Sequence, residues 1–244
     1  LFLAIAYAVL SVWTILAIFP FFWTFLISIK EVVDAFALPP VWVFKPTLVA
    51  YQTLWIEEGF SKYLINSAIV TFGTVVISIT VGCFAGYGLA RYNRAAGFWI
   101  LFAAFVFRAL PRLTFLLPFY YLARLTGLHD TQLLLILVLV AINQPFTIWM
   151  LRSFFVGIPQ ELDEAAMVDG CTRLQAFRRV IMPVMWPGLV TTGLFSFLLA
   201  YNDFMLSSAL TNADKMTMPA AIASAITAES DALLMQGVAG AVSI

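Results

Sequence analysis

Five apolar runs, each long enough to cross a bilayer, constrain this chain more than any other feature. A helix needs about 20 apolar residues to span the hydrocarbon core. The runs extend roughly over Leu1–Ile29, Tyr63–Ala90, Phe98–Ala123, Leu133–Leu151 and Val184–Leu206, and a sixth begins near Leu233. Composition agrees: 63% of the 244 residues are hydrophobic and only 11% are charged. A soluble domain carries about a quarter charged residues, and one core could not hide this much apolar surface. Backbone polar groups in lipid must be satisfied internally, which leaves helices for runs of this length. The fold class is therefore all-α: a polytopic transmembrane bundle with five complete spans and the start of a sixth, read as one domain over residues 1–244. There is no internal repeat and no low-complexity tract. The chain opens on Leu1 and stops at Ile244 inside an apolar run, so it is expected to continue at both ends. The first run is long enough to span and carries no signal-peptide cleavage site.

Prolines punctuate the runs. Pro20 interrupts the first, Pro111 and Pro118 lie in the third, Pro145 in the fourth and Pro187 in the fifth. Each removes a ladder hydrogen bond, which membrane helices tolerate where neighbours or cavity water satisfy the freed carbonyl. They suit a moving pathway, and equally the ordinary abundance of proline in such helices.

Positive charge orients the bundle. Arg91 and Arg94 follow the second run, and Arg152, Arg173, Arg178 and Arg179 lie after the fourth. The opposite loops hold Lys30, Lys45, Lys62, Arg124 and Lys215, with Glu31, Asp34, Glu57, Glu58, Asp130, Asp214, Glu229 and Asp231. The arginine loops are shorter and are assigned to the cytoplasm. The long segment from Lys30 to Lys62, with Pro39, Pro40, Pro46, Trp42 and Trp55, falls outside, where Trp suits the membrane interface. Lys plus Arg equals Asp plus Glu at 13 each, so no basic bias points to nucleic acid. Cys83 sits in an apolar run and Cys171 in a cytoplasmic loop, which disfavours a disulfide between them.

The cytoplasmic loop carries the most specific pattern. Residues 157–188 read GIPQELDEAAMVDGCTRLQAFRRVIMPVMWPG. Two short helices are expected. Pro159 suits a first turn. Glu161, Asp163 and Glu164 complement a positive helix end, and Gly170 suits a C-terminal cap. Thr172 can cap the second helix, in which Leu174, Phe177, Val180 and Ile181 form an apolar stripe. Arg173, Arg178 and Arg179 stay wet or meet headgroups, and Pro183 ends the helix. Small residues at Ala165 and Ala166 let another surface approach, so the loop reads as a docking element. The plain alternative is an amphipathic loop lying on the membrane.

This loop resembles the EAA motif of binding-protein-dependent ABC importer permeases. The match runs through Glu164-Ala165-Ala166, Asp169-Gly170, Val180 and Met182-Pro183. The family usually has Ile and Leu where Val180 and Met182 stand, swaps that keep apolar character and volume. The likeness extends to Asn66-Ser67, Arg108-Ala109-Leu110-Pro111, Pro118-Phe119-Tyr120, Gly127-Leu128-His129-Asp130-Thr131 and Tyr201-Asn202-Asp203-Phe204. These are similar to the shorter, six-span subunit of the maltose-type carbohydrate permeases. The resemblance implies a coupling loop at residues 157–183, with Glu164, Ala165, Ala166, Asp169, Gly170 and Pro183 at the contact with an ATPase. It also implies the partners: a second homologous permease, an ATP-binding cassette ATPase dimer, an extracellular or periplasmic solute-binding protein, a carbohydrate substrate, and the lipid of a bacterial-type cytoplasmic membrane. ATP and Mg would belong to the ATPase, with no cofactor in this chain and no catalysis of its own.

Polar groups inside the runs are the candidate pathway. A charge at mid-membrane costs roughly 2.5–3.5 kcal/mol on the lenient scale. Arg108 and Arg112 lie four apart on one helical face, about 15–21 Å from Phe98 along a helix axis. They need partners or water. Asp203 is the one acid well inside a run and a candidate partner for either arginine. Asn143, Gln144, Tyr201 and Asn202 complete the set. Arg, Asn, Asp and Tyr can bond sugar hydroxyls; a structural ion pair or a contact with a companion permease fits the same residues.

Other readings follow from the same composition. The chain has no G-x-x-x-x-G-K-[ST] phosphate loop. One histidine and two distant cysteines make a metal site improbable. An ion-gradient-driven secondary transporter could use the arginines and Asp203, but predicts inverted repeats. A channel or structural assembly subunit leaves the 157–188 pattern unexplained. An ABC importer for a non-sugar solute remains open.

Overall fold

The computed structural model describes residues 2–91, 94–227 and 231–243, with the side chains of 2, 94–96, 231 and 232 left aside. Of the charges used for orientation, Glu229 and the side chains of Arg94 and Asp231 fall outside the described residues. Helices dominate, and there is no strand among the described residues.

Three unbroken helices are long and apolar enough to span: α1 (Phe2–Ser28), α4 (Ser61–Arg91) and α7 (Gln132–Val156). Between the first two lie the one-turn helices α2 (Val32–Ala35) and α3 (Val49–Gln52), the latter running into a wide turn at Thr53–Glu57. The third apolar run is not one helix. α5 (Arg94–Ala109) and α6 (Arg112–Thr126) meet at a 93° bend. The loop after α7 forms α8 (Glu161–Val168), α9 (Arg173–Ala176), a wide turn at Phe177–Ile181 and α10 (Met182–Val184). The Arg173–Val184 segment turns by 76° into α11 (Trp186–Tyr201). After a break at residues 202–204 come α12 (Met205–Leu210), α13 (Met218–Ile226) and α14 (Asp231–Val242). Counting each bent pair as one crossing gives five.

The prolines behave unequally. Pro20 does not interrupt α1, against the sequence expectation, and Pro118 and Pro145 also sit inside continuous helices. One lost bond is a tolerable defect in a long apolar helix. Pro111 differs because its own ψ of 135° takes the backbone out of the helix. Leu110 N closes α5 on Phe107 O at 3.2 Å, and Thr114 N opens α6 on Pro111 O at 2.9 Å.

The contacts fall into two compact units. The first comprises residues 1–64 and 218–244, where α14 packs on α1, α3 and α13. α1 is apolar all round and buries nothing in its most apolar stretch, with Trp13 and Phe21 more than two-thirds exposed. Such a helix is suited to lipid or another protein. Lys30, 3% exposed, donates to Val41 O at 2.6 Å and lies over the rings of Phe44 and Trp23. Carbonyl and ring faces thus replace a carboxylate around this ammonium.

The second unit is residues 65–217, whose core lies among α4, α7 and α11. On α4 the buried positions Val70, Thr74, Ser78, Gly82, Gly86 and Ala90 recur every four residues. This is the small-residue seam by which membrane helices approach closely. A Cβ at Gly82 would sit 2.8 Å from Leu151 Cδ1, and one at Gly86 3.1 Å from the Arg152 backbone nitrogen. Larger side chains fill the seam's ends: Leu135 and Leu139 with Leu206 and Leu210, and Leu151 and Phe155 with Phe177, Ile181 and Met185.

Candidate functional site: the α7–α11 loop and the arginine cavity

The loop is built from two capped helices. α8 ends in a Schellman-type turn: Gly170 N donates to Met167 O at 3.1 Å and Cys171 N to Ala166 O at 3.0 Å. That turn puts Gly170 at φ +88°, a region L side chains rarely adopt. Thr172 then starts α9 with a capping box. Its hydroxyl accepts from Gln175 N at 3.3 Å, and its own N–H donates to Gln175 Oε1 at 2.8 Å. Pro159 lies just before α8 rather than inside its first turn.

The two faces of α8 differ. Asp163 and Ala166, one turn apart, are buried. Asp163 accepts from Arg91 Nε at 2.8 Å and from the Tyr87 hydroxyl at 2.5 Å. Arg91 Nη1 also donates to Phe155 O at 3.1 Å, so one guanidinium joins α4, α7 and α8. Tyr87 stands within 5.6 Å of the Phe155 ring and 4.8 Å of Phe177, centroid to centroid. The opposite face carries Glu164 and Ala165, exposed, with Asp169 and Gly170 after it. Val168 is 87% exposed and Leu174 65%. The expected apolar stripe is therefore corrected: Leu174 points away, and Ala176, Phe177 and Ile181 are the buried positions. The wide turn at Phe177–Ile181 shifts the helical phase by about one residue, which the 3.6-residue spacing could not anticipate. Arg178, Arg179 and Pro183 are exposed.

At the α5–α6 bend a cavity of about 190 Å3 is lined by Arg108, Arg112, Phe107, Phe115, Phe119 and Pro145, among others. Arg112 donates to Asp203, whose other oxygen accepts from Leu206 N at 3.0 Å and caps α12. Asp203 thus lies in the break between α11 and α12, not inside a helix as the run suggested. Arg108 lies over the Phe146 ring at 5.3 Å, and its buried Nη1 has no hydrogen-bond partner. The other expected pathway residues do not join this cavity. Asn143 is buried at 2% exposure with Oδ1 unpartnered. Gln144 Nε2 donates to Ser78 O at 3.2 Å. Tyr201 stacks on Phe197, and exposed Asn202 donates to Leu198 O at 2.9 Å.

A third polar group holds the far end of α4. Asn66 Nδ2 donates to Asp214 O and Met216 O, both at 3.0 Å, and its Oδ1 accepts from Gln132 at 2.6 Å. Beside it, Asp130 accepts from both nitrogens of Asn212. Sequence reasoning missed the roles of Tyr87, Arg91 and Asp163. The available signal was Tyr87 and Arg91 four apart on the last turn of an apolar helix, one facing pair for one acid.

The family described as "Binding-protein-dependent transport system inner membrane component" matches residues 78–244. A probable ABC transporter permease protein, y4oR of Sinorhizobium fredii, is 39% identical over 215 residues, covering 86% of this chain and 76% of its own. The trehalose transport system permease protein SugB of Mycobacterium tuberculosis is 35% identical over 211 residues, covering 85% and 76%. Among solved structures, a bacterial ABC transporter involved in import of the acidic polysaccharide alginate superposes with a TM-score of 0.80 at 23% identity, over 99% of this chain and 89% of that one. At that identity the likeness speaks for the fold.

Proposed function

The chain belongs to the family of binding-protein-dependent transport system inner membrane components, and on that premise we propose that it forms half of an ATP-driven import pathway for a carbohydrate. The solute class is a sugar, disaccharide or polyol, supported by a relative named for trehalose that aligns over most of the chain. The pathway is completed by a second, homologous permease. Two ATP-binding cassette subunits dock beneath and supply ATP and Mg2+, and an external solute-binding protein delivers the solute.

One observation carries the coupling role: α8 is fixed on one face by Asp163 and Ala166 and presents Glu164, Ala165 and Val168 on the other. A short helix with small and apolar residues outward fits a groove on another protein. Gly170 turns the chain sharply behind it. Docked on an ATPase, α8 transmits nucleotide-driven closure to the attached spans as rigid-body motion. Within the membrane, Arg108 and Arg112 offer guanidinium donors to sugar hydroxyls, and Phe107, Phe115 and Phe119 offer apolar surface. Asp203 holds Arg112 at that wall, and Asn143, Tyr201 and Asn202 line the pathway in another state of the cycle.

Purification from native membranes in mild detergent tests this reading. A phosphate-loop ATPase and a second permease with the same loop pattern should accompany the chain. Recovery of the chain alone, or only with copies of itself, would sink it.

A further inference from the structure

The geometry points to Arg91 as a positioning residue for coupling: it fixes α8 to the ends of α4 and α7, so that a push on α8 moves those helices instead of bending the chain at residues 157–160. The inference rests on the proposed docking of α8 on an ATPase.

The connection from α7 to α8 is short and has one apolar anchor of its own, Ile158, which belongs to the core cluster of Leu151, Phe155 and Phe177. It passes through Gly157, Ile158, Pro159 and Gln160, and Gln160 makes no side-chain cap to α8. α8 has eight residues, too few to hold a direction unaided. Of its side chains only Asp163 and Ala166 are buried. Open grooves border the joint, one of about 170 Å3 lined by Tyr87, Arg91, Asp163 and Glu164, another of about 410 Å3 lined by Arg91 and residues 156–161. The side-chain link from α8 to α4 is a hydrogen-bonded ion pair with both side chains nearly closed to solvent, 8% and 11% exposed.

The chemistry requires arginine. Its planar fork donates to the Asp163 carboxylate and the Phe155 carbonyl in fixed relative directions. A lysine ammonium could keep the charge but not both directions. Tyr87 adds a second donor to Asp163 and touches the ring of Phe177 at the base of the loop's other arm. Both arms of the loop are therefore referred to the last turn of α4.

Distance measurement between two spin labels tests this without knowledge of the solute. One label replaces exposed Glu161 on α8 and the other exposed Val81 on α4, with Cys83 and Cys171 substituted, in the full complex with its ATPase. The wild-type background should give one narrow distance, unchanged when ATP and vanadate trap the closed ATPase. Arg91→Gln should broaden the distribution and shift it on trapping, Arg91→Lys should fall between, and the exchange Arg91→Asp with Asp163→Arg should narrow it again. Transport per ATP hydrolysed should fall in Arg91→Gln by roughly two- to thirtyfold, the range of a modulated coupling energy. An Arg91→Gln distribution as narrow and unmoved as the wild type's overturns the inference, as does a wild-type distance that changes on trapping. If Arg91→Gln does not assemble, Arg91→Lys takes its place: a broadened distance supports the inference, and one as narrow and unmoved as the wild type's overturns it. A wild-type chain that binds no ATPase defeats the docking reading instead, while the width measured without nucleotide still decides whether Arg91 holds α8.

Discussion

Two arginine–aspartate pairs tie distant elements within residues 65–217, one at the loop after α7 and one between the α5–α6 bend and the break before α12, and they are closed to different degrees. Arg91–Asp163 is sealed on both sides, with side chains 8% and 11% exposed, and every element it touches gains a bond from it. Arg112–Asp203 is one-sided: Asp203 is 1% exposed and Arg112 is 40% exposed to the cavity at the bend. A buried pair loses heavily when one partner goes, because the other charge stays behind in low dielectric. A pair with one partner open to water or ligand loses much less. The first pair is thus suited to holding a shape, and the second leaves an arginine that can change partners.

Substitutions can break or sharpen that contrast. Asp163→Ala should have the largest effect, destabilising the purified protein by about 3–5 kcal/mol as an unpaired Arg91 remains buried; thermal unfolding in detergent reads it. Gly170→Ala forces a side chain into the left-handed turn behind α8 and should cost about 1–2 kcal/mol. Its site has open space around an added Cβ, so the cost is conformational and Gly170→Asn should recover part of it. Asp203→Ala should cost only about 1 kcal/mol, chiefly from the lost cap on α12, while Asp203→Asn should be milder still. A loss at Asp203 equal to that at Asp163 would erase the distinction between the pairs. Phe146→Leu, which removes the ring beneath Arg108, should be the smallest, about 0.5–1 kcal/mol. It should show in uptake assays more than in unfolding.

Much of this was legible from the sequence because it is local. The apolar runs located α1, α4 and α7, and the loop's cap residues located both of its helices, down to Gly170 and Thr172. Asp203 could be matched with an arginine because acids in apolar runs are rare. What could not be read depends on distant residues. Pro20 and Pro111 look alike in sequence, yet only Pro111 sits at a bend, beside an arginine tied to Asp203 from another break. Asp163 looked like a charge favouring a helix start, and its burial became visible only once the end of α4 lay beside it. Leu174 fell out of phase because a wide turn follows α9. α13, rich in alanine, is too short to give a spanning signal, so the sequence leaves it among the outer loops.

α4 has no proline between Ser61 and Arg91, and that continuity makes it a gauge rod. Asn66 clasps the 211–217 segment at one end and Arg91 clasps α8 at the other. At 1.5 Å per residue the two clasps stand about 37 Å apart. A continuous ladder of hydrogen bonds stretches very little, so this spacing acts as a fixed tolerance between the two ends of α4. Neither clasp can be displaced along the rod without the other taking up the same travel or one of them letting go.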